Sequence, residues 1–395
     1  MRIIVHDYAG HAFPIQLSRN LAARGHEVLH LYCGSTLTPR GELQRRADDP
    51  DNWQIQVIDL GEEIPKTKFF KRFGMERRYG GLLVDACLSW KPDVVISGQT
   101  PTIAQQALVK ACTRAGLPLV SWIQDIYGMA AKKVLESKLP IVGAMVGDHF
   151  LRIDKQCAAR SRDLVVISED FADIFADWGI PRDRIHTIHN WALVDQLPVG
   201  DRDNDWSRKQ QLGDKLRFVY SGTLAMKHNP RLLLELAEQL TATGRGELVV
   251  VSGGPGVEWL REQAASRPEL AMRVMGFQPF EDLPDVLASA DVLVAILEPD
   301  AGVFSVPSKV LSYLCADRPL LMAMPSENLA AKIVRETGAG LIVAPDDIAG
   351  FCDAGMQLAD SPEQRAEMGA AGRAYAEATF DIERITDRFE QILGG

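Results

Sequence analysis

The sequence predicts an α/β protein built from two doubly wound, Rossmann-like domains that face a central cleft. Short runs of valine, isoleucine and leucine alternate with segments of helical periodicity along the 395 residues. Such alternation is typical of parallel sheets covered on both faces. The pattern also starts twice, each time with a strand, a glycine turn and a helix. A chain of this length exceeds what one core usually supports, so we expect two domains.

The first half opens with a strand over 3–6, a turn at Gly10 and a helix in which Leu17 and Leu21 keep helical spacing until Gly25. Further strands are predicted where short apolar runs are bounded by turn formers. These runs are EVLHLYC, IQVIDL, DVVIS, PLVSWI and DLVVIS.

The second half restarts the plan at RFVYS, which runs into Gly222 and a helix from about residue 229. The strands that follow are predicted in ELVVVSGG, AMRVMGF, DVLVAIL, PLLMAM and GLIVA. Residues 197–213 lie between the halves and are polar, rich in turn formers and without periodicity. We therefore predict domains over 1–196 and 214–377, joined by a linker over 197–213.

The composition limits the classes of function that the protein can have and indicates its cellular compartment. A net charge of −10 argues against general binding to nucleic acid, which needs basic surface. The six cysteines are scattered singly, which is typical of buried thiols in a reducing compartment. The longest apolar run, 139–147, is about half of what spans a bilayer. We expect a cytoplasmic protein that requires no metal, because no cluster of cysteine, histidine or carboxylate has the spacing of a metal site.

Two segments of the second half could hold a phosphate. In SVPSKVLSYL, Ser308 and Lys309 stand at the start of an apolar helix, which suits either a helix cap or an anion site at the helix end. In GTLAMK, Gly222 lets the backbone approach a ligand, Thr223 offers a hydroxyl and Lys227 a positive charge. The alternative for this second segment is a turn with a solvated lysine.

The assembled motifs resemble family 4 of the retaining glycosyltransferases, which have the GT-B fold. They are most similar to the branch that builds bacterial exopolysaccharide and O-antigen. The resemblance extends over essentially the whole chain and rests on the order and spacing of its segments. These are PIQLSRNLAARGHEV, WIQDIYG, VVISEDFADIFADWGIPRDRIHTIHNW, YSGTLAMKHNPRLLLELA, MGFQPFEDLPDVLASADVLV and VPSKVLSYLCADRPLL.

This resemblance implies transfer of a sugar, with retention, from a nucleotide-diphosphate sugar to a hydroxyl acceptor. The second domain would hold the donor, expected to be a UDP-sugar, and no further cofactor. The first domain would present an acceptor that is lipid-linked or a growing polysaccharide. The resemblance also implies that a C-terminal helix, 378–395, joins the first domain.

The resemblance assigns roles residue by residue. Lys227 on the diphosphate and Asp125 on the acceptor side are the expected catalytic residues. His11, Gln99 and Gln124 are further acceptor-side candidates. The expected donor-binding residues are Gly10, Gly222, Thr223, Gly276, Phe277, Gly302, Val303, Phe304, Ser305, Pro307, Ser308, Lys309 and Ser312.

Three features of the sequence depart from the family pattern. The usual pair of glutamates falls on Phe304 and Ser312, so Glu298 or Asp300 would have to replace their carboxylates. Thr223 stands where an arginine is common. Gln124 stands where a histidine often precedes the aspartate, which makes Asp125 the candidate for orienting or deprotonating the acceptor. A sugar-nucleotide-binding protein with little activity, or a sugar-nucleotide epimerase of related architecture, are the alternatives.

A basic and aromatic segment, 66–81, suggests a membrane surface. Its aromatic rings could enter a headgroup layer while its basic residues meet anionic lipid, at the inner face of the plasma membrane. An ordinary helix with core phenylalanines and solvated charges is the alternative. The basic residues, set against one acid, are Lys66, Lys68, Lys71, Arg72, Arg77 and Arg78.

Overall fold

The chain divides into two compact units, each with its own parallel sheet. The computed structural model describes residues 1–36, 41–65, 69–138, 140–299, 302 and 307–394. The first unit comprises Met1–Asn190 with Ile382–Gly395, and the second comprises Trp191–Asp381. Both sheets are covered by helices, so the prediction of two Rossmann-like, doubly wound domains is confirmed.

The first sheet has the strand order β3-β2-β1-β4-β5-β6-β7, and every pairing is parallel. Its strands are β1 Arg2–Asp7, β2 Glu27–Cys33, β3 Trp53–Ile58, β4 Val94–Gly98, β5 Leu119–Ile123, β6 Asp163–Val166 and β7 Ile185–Thr187. The helices of this unit are α1 Ala12–Ala23, α2 Phe69–Trp90, α3 Thr102–Ala115, α4 Tyr127–Lys138, α5 Pro140–Arg160, α6 Glu169–Asp177 and the C-terminal α15 Ile382–Gly394.

The second sheet has the order β10-β9-β8-β11-β12-β13 and is also parallel. Its strands are β8 Arg217–Ser221, β9 Glu247–Val251, β10 Met272–Met275, β11 Val292–Ile296, β12 Leu320–Ala323 and β13 Gly340–Val343. Its helices are α7 Asp205–Lys209, α8 Arg231–Thr243, α9 Pro255–Ser266, α10 Leu283–Ala288, α11 Ser308–Leu314, α12 Leu329–Thr337, α13 Ile348–Asp360 and α14 Pro362–Thr379.

Burial on both faces explains why the strands read as continuous apolar runs. Val94, Val95 and Ile96 of β4 are fully buried, and so are all five residues of β11 to within a few per cent. A strand with helices on both sides has no solvent face, so no position needs a polar residue. β7 lacks this signature because it is a three-residue edge strand with a polar sequence, and the apolar-run criterion did not predict it.

Residues 197–213, predicted as a linker, instead pack within the second unit. Trp206 of α7 is buried, and Asn204 caps that helix by accepting from the Ser207 amide at 2.9 Å. The buried Arg217 side chain donates to the carbonyls of Arg202 and Gly213. These bonds satisfy backbone carbonyl groups of the segment. Because the segment has no periodic apolar face of its own, its sequence resembles that of a linker.

The helix α15 returns the chain to the first unit after the second is complete. Phe389 is fully buried, with its ring centroid 5.0 Å from that of Trp122 on β5. On the polar side of the helix, Arg24 at the end of α1 forms ion pairs with Glu383, Asp387 and Glu390 at 2.6–2.7 Å. An apolar face and a charged edge together hold α15 against α1 and β5.

Candidate functional site

Each sheet reverses its strand order once, between β1 and β4 in the first unit and between β8 and β11 in the second. Connections from the two central strands then leave toward opposite faces, which opens a crevice at the carboxyl ends of the strands. Gly10 and His11 follow β1, and Gln99 follows β4. Gly222 follows β8, and Glu298 comes two residues after β11. These five residues therefore lie at the strand ends where open parallel sheets commonly bind ligands, whereas Asp125 follows β5 and Gly276 follows the edge strand β10.

The turn after β8 is shaped around a lysine from a distant part of the sequence. Gly222 has a φ of +116°, and a Cβ there would lie 3.1 Å from Cε and 3.3 Å from Nζ of Lys309. Lys309 Nζ donates to the Tyr220 hydroxyl at 2.6 Å and lies 4.0 Å from the centroid of that ring. Tyr220 in turn donates to the carbonyl of Thr223 at 2.8 Å. The structure thus brings Gly222, Thr223 and Lys309 together.

Tyr313, which was not among the predicted site residues, hydrogen-bonds the backbone at the end of β8. The Tyr313 hydroxyl accepts from the amide of Ser221 and donates to its carbonyl, both at 2.8 Å. The pairing of β8 with β11 ends earlier, at Val219 with Leu293. The Tyr313 side chain, from α11, therefore takes the place of a β11 residue as the hydrogen-bond partner of Ser221. Tyr313 was missed because it lies on the buried face of α11, where it reads as a core residue.

Burial also changes the acidity of Lys309. Lys309 is only partly exposed, and this burial lowers the pKa of its ammonium from its usual value to about 7. The neighbouring tyrosines supply a hydroxyl and a ring face but no full negative charge. A negative charge next to Gly222 would favour the protonated form of this lysine.

The other expected donor residues of the second unit occupy varied environments. Phe277 is 62% exposed, and its ring covers Gly253, where a Cβ would lie 2.5 Å from Cε2. Gly276 is exposed. The carbonyl of Gly302 accepts from Asn328 at 2.7 Å. Pro307 is the N-cap residue of α11 without a side-chain cap bond, and Ser308, the first helical residue, is exposed, so Ser308 does not cap this helix.

Ser312 is partly exposed on α11. Several expected residues lie outside the described part of the chain. These are Asp300, Val303, Phe304, Ser305 and the side chain of Lys227, whose backbone forms a short 3₁₀ turn over Met226–His228.

A carboxylate does lie at the end of β11. Glu298 is only 7% exposed, and its Oε2 is 3.1 Å from Nε2 of His228. His228 belongs to the same short turn as Lys227. Glu298 is thus one of the two carboxylates that we expected to replace the missing glutamates, and it is already paired with a histidine.

The first unit places a buried aspartate beneath the turn after β1. Asp7 is fully buried, and its Oδ2 accepts from the His11 amide at 2.5 Å and lies 3.5 Å from His11 Nδ1. Burial opposes ionisation of Asp7, but the hydrogen bonds and charge of His11 outweigh it and lower the pKa of the carboxyl. Gly10 has a φ of +75°, and its carbonyl accepts from Gly41 at 2.9 Å.

Asp125, two residues after β5, is bonded to Gln99 and interacts electrostatically with His11. Gln99 Nε2 donates to Asp125 Oδ2 at 2.6 Å, and Gln99 has a φ of +51°, which is uncommon for a residue other than glycine. Burial raises the pKa of Asp125. Gln124 is buried beside them, and its Nε2 has no hydrogen-bond partner among the described residues. A small cavity of about 40 Å³ is lined in part by Gln99, Gln124 and Asp125.

The basic segment 66–81 is largely a structural helix. Lys71 pairs with Glu62 at 2.5 Å and Arg72 with Glu76 at 2.6 Å. Tyr79 is fully buried and bonds His6 Nε2 at 2.8 Å. Exposed groups on α2 include Phe73, Arg77 and Arg78, while Lys66 and Lys68 lie outside the described residues.

The described residues contain neither a membrane-spanning helix nor a metal-binding cluster. No described helix is long and apolar enough to cross a membrane. In that same part of the chain, no three histidine, cysteine or carboxylate side chains are grouped as metal ligands.

Comparison with protein families identifies both units. Residues 15–191 match the model described as "Glycosyl transferase 4-like domain", and residues 215–361 match "Glycosyl transferases group 1". Together these models span most of the chain, and each falls within one unit except for Trp191 at the end of the first match.

The chain is also similar to individual proteins that are named as glycosyltransferases. The chain is 24% identical over 262 residues to the probable glycosyltransferase WbjE of Pseudomonas aeruginosa, covering 65% of this chain and 63% of that protein. It is 26% identical over 167 residues to a GDP-mannose-dependent monoacylated alpha-(1-6)-phosphatidylinositol monomannoside mannosyltransferase of Corynebacterium glutamicum, covering 42% and 44%. These alignments span less than two thirds of each relative.

The fold is also that of a solved structure, Anabaena HepE in complex with UDP. The TM-score is 0.71 at 14% identity, and all of both chains is covered. An identity this low shows the fold alone, and it confirms the predicted GT-B fold.

The contact between Gly222 and Lys309 predicts the effect of one added methyl group. Gly222→Ala should lower the free energy of unfolding by about 1–3 kcal/mol, because alanine is strained at positive φ and its Cβ would crowd the lysine. Urea denaturation measures this change. Gly213→Ala is the matched control, because a Cβ at this exposed glycine meets nothing within 4 Å. Equal stability of the two variants would contradict the crowding at Gly222.

Proposed function

We propose a function from one premise: the chain belongs to the glycosyltransferases of family 4, with the GT-B fold. The protein transfers a sugar from a nucleotide-diphosphate sugar to a hydroxyl acceptor, with retention at the anomeric carbon. The second unit holds the donor and the first unit presents the acceptor. The observation that carries this proposal is the placement of Lys309 against the glycine turn after β8, at the reversal of the second sheet.

The chemistry explains why a cation is needed there. When the bond from the anomeric carbon to the phosphate oxygen breaks, negative charge grows on the departing nucleoside diphosphate. Fixed donors and cations that face this charge stabilise the transition state more than the ground state. We assign this role to Lys309 and Lys227, with Gly222 and Thr223 offering close backbone approach. Gly276 and Phe277 would contact the base, and Gly10, Gly302, Pro307, Ser308 and Ser312, with residues 303–305, the phosphates and sugar.

A UDP-sugar is the proposed donor, and a lipid-linked or saccharide hydroxyl is the proposed acceptor. The HepE structure contains UDP, and the mannosyltransferase relative is named for a phosphatidylinositol mannoside acceptor. On the acceptor side, Gln99 follows β4 and donates to Asp125, while His11 follows β1, the other strand at the reversal of the first sheet. We propose that these groups, with Gln124, orient the acceptor hydroxyl.

Incubation with a panel of UDP-, GDP- and dTDP-sugars tests the reaction itself. We expect release of the nucleoside diphosphate, by transfer to added saccharides or by slow hydrolysis. Mass spectrometry of the products distinguishes the alternatives. Inversion of the sugar at C2 would indicate an epimerase, and binding without turnover would indicate a sugar-nucleotide-binding protein.

The acidity of Lys309 predicts a proton linkage. Its pKa of about 7 leaves most of the amine neutral at pH 8. A bound diphosphate favours the ammonium and raises that pKa, so UDP should bind with uptake of a proton and more weakly as the pH rises above 7. Titration calorimetry in two buffers of different ionisation enthalpy measures this uptake.

Lys309→Met should abolish the proton uptake and weaken UDP binding about tenfold or more, which is the value of one charge-assisted bond. Binding of uridine, which has no phosphate, should be unchanged. Lys209→Met, at an exposed lysine of the same unit, is the control. Lys227→Ala should reduce turnover by about 10²-fold. Unchanged UDP affinity in the Lys309 variant would contradict its assignment to the phosphates.

We also propose reversible binding to an anionic membrane, where a lipid-linked acceptor would be found. Arg77 and Arg78 are exposed on α2 of the first unit. The same unit exposes three apolar side chains on α5, at 79% for Ile141, 60% for Val142 and 71% for Met145. Basic residues are attracted to anionic headgroups, and exposed apolar groups can enter the interface. Lys66, Lys68, Lys71 and Arg72 would add to the same charge.

Co-sedimentation with vesicles tests this surface. Wild-type protein should bind anionic but not neutral vesicles, and salt should weaken the binding. Arg77→Gln with Arg78→Gln should weaken it about 30-fold, because each basic residue near such a surface contributes roughly 1 kcal/mol. Arg208→Gln with Lys209→Gln, at exposed sites of α7, is the matched control. Equal loss in both pairs would contradict a role for α2.

A further inference from the structure

A network of hydrogen-bonded polar side chains runs through the interior of the first unit. It connects the neighbouring strands β1, β4 and β5 with the helices α2 and α3. Every member is at most 8% exposed. The members of this buried network are Tyr79, His6, Ser97, Thr100, Gln105, Ser121 and Ser161.

The directions of the hydrogen bonds follow from one end of the network. Ser161 donates its hydroxyl hydrogen to the carbonyl of Cys157 at 2.9 Å, so its oxygen accepts from Ser121 at 2.7 Å. Ser121 in turn accepts from Nε2 of Gln105 at 2.9 Å. Oε1 of the same amide accepts from Ser97 at 2.8 Å, which uses the one hydroxyl hydrogen of Ser97.

These directions fix the tautomer of His6. Thr100 donates its hydroxyl hydrogen to the carbonyl of Gly98 at 3.1 Å. The hydroxyl oxygens of Ser97 and Thr100 each lie 3.2 Å from Nδ1 of His6. Because both hydroxyl hydrogens are already used, Nδ1 carries the imidazole proton and donates to them. Nε2 then accepts from the Tyr79 hydroxyl at 2.8 Å.

A network of this kind is rigid. Hydrogen bonds that follow one another in one direction strengthen each other in an interior of low dielectric. Burial lowers the pKa of His6 to about 3, so the ring is neutral near pH 7 and can donate at one nitrogen and accept at the other. Breaking any of the bonds would leave a buried polar group unpaired, which is costly. The network therefore favours a single arrangement of the end of β4.

The residue that this arrangement constrains is Gln99. Its neighbours on both sides, Gly98 and Thr100, are joined by the bond from the Thr100 hydroxyl. Gln99 has a φ of +51°, a left-handed conformation that is costly for a residue with a side chain. In this conformation its Nε2 donates to Asp125 Oδ2 at 2.6 Å, and its carbonyl accepts from the Tyr127 hydroxyl at 3.3 Å.

We propose that the buried network is the positioning element of the acceptor side, because it holds Gln99 in its left-handed conformation and so sets the direction of the Asp125 carboxylate. Its members act through Gln99 and Asp125 and do not themselves contact the acceptor. The role of Asp125 toward the acceptor rests on the proposed transferase function, whereas the constraint on Gln99 is independent of it.

NMR of labelled histidine tests the network without any substrate. His6 should stay neutral from about pH 5 to about pH 8 and carry its proton on Nδ1. Thr100→Val should shift the Nδ1 resonance, because the proton loses one of its two acceptors. Ser18→Ala should not, although the Ser18 hydroxyl is equally buried and donates to the Ile15 carbonyl at 2.9 Å. A proton on Nε2, or a charged His6 in this range, would overturn the network.

A double-mutant cycle tests whether the network holds Gln99. Gln99→Gly should fold with an equilibrium constant about fivefold larger than that of Gln99→Ala, because alanine is strained at positive φ. Both variants lose the bond to Asp125, so their difference reports the backbone alone. Thr100→Val should reduce this difference, because the turn can then relax.

Gln211 is the matched control for the cycle, since it is an exposed glutamine with a φ of +55°. Glycine should also be preferred to alanine at this position, and Thr100→Val should leave that preference unchanged. If the preference at position 99 is missing, or if Thr100→Val does not alter it, the constraint on Gln99 is disproved.

Kinetics test the positioning role. With the sugar nucleotide that turns over fastest and a saccharide acceptor, Thr100→Val should lower kcat about tenfold, which is the effect of one hydrogen bond. The affinity for UDP should not change. Thr100→Ser, which keeps the hydroxyl, should restore the rate, and Ser18→Ala should leave kcat as in the wild type. An undiminished kcat in Thr100→Val would refute the positioning role.

The outcomes separate this inference from the proposed function. Absence of turnover with every sugar nucleotide would overturn the transferase and the role of Asp125, while the NMR experiment and the cycle would still decide whether the network holds Gln99. If Thr100→Val does not fold, Ser97→Ala replaces it in each measurement with the same expected outcomes, because Ser97 Oγ lies 2.9 Å from Thr100 Oγ1 in the same network.

Discussion

The parallel pairing of the central strands determines where each unit can place polar chemistry. A strand order that reverses at β1 and β4, or at β8 and β11, leaves the carboxyl ends of these strands without a covering connection. In the first sheet the pairing continues to the last residue of β1, Asp7 with Gly98. In the second it ends early, and the Tyr313 hydroxyl bonds the free backbone of Ser221. The polar residues of both units gather at these two openings.

Each opening contains one ionisable group whose pKa is changed by burial and by the side chains in contact with it. Asp7 is buried more completely than Lys309, yet it stays ionised because a histidine lies against it. Lys309 has a hydroxyl and an aromatic ring beside it, and these do not replace a counter-charge, so its pKa falls. The first unit therefore contains a charge that is already paired. The second contains a lysine whose bonded neighbours, among the described residues, carry no counter-charge.

Much of the fold could be predicted because buried parallel strands have a strong sequence signature. The strands of both sheets appear as runs of valine, isoleucine and leucine, with the short edge strand β7 as the exception. The segment 197–213 was wrongly predicted as a linker because its stability comes from bonds to Arg217, which no local pattern reveals.

The candidate site was predictable where a residue type is unusual for its position. Gly222 and Lys309 stood out as a glycine turn and a lysine before an apolar helix, and the structure brings them into contact. Asp7 ends an apolar strand with a charged residue, a signal that was present in the sequence and not used. Tyr313 gave no such signal, because a tyrosine among Val310, Leu311 and Leu314 is indistinguishable from core until its hydroxyl is seen at the strand end.

The position of α15 has a consequence for how the protein is made. The first unit is interrupted, since Trp191–Asp381 must be synthesised before the helix that covers Trp122. During translation, an apolar surface on the first unit stays open while the ribosome adds the whole second unit, although domains generally fold as they emerge. The second unit is continuous and needs no later segment. We therefore expect the first unit to be completed only after the second has been synthesised, although it begins earlier in the chain.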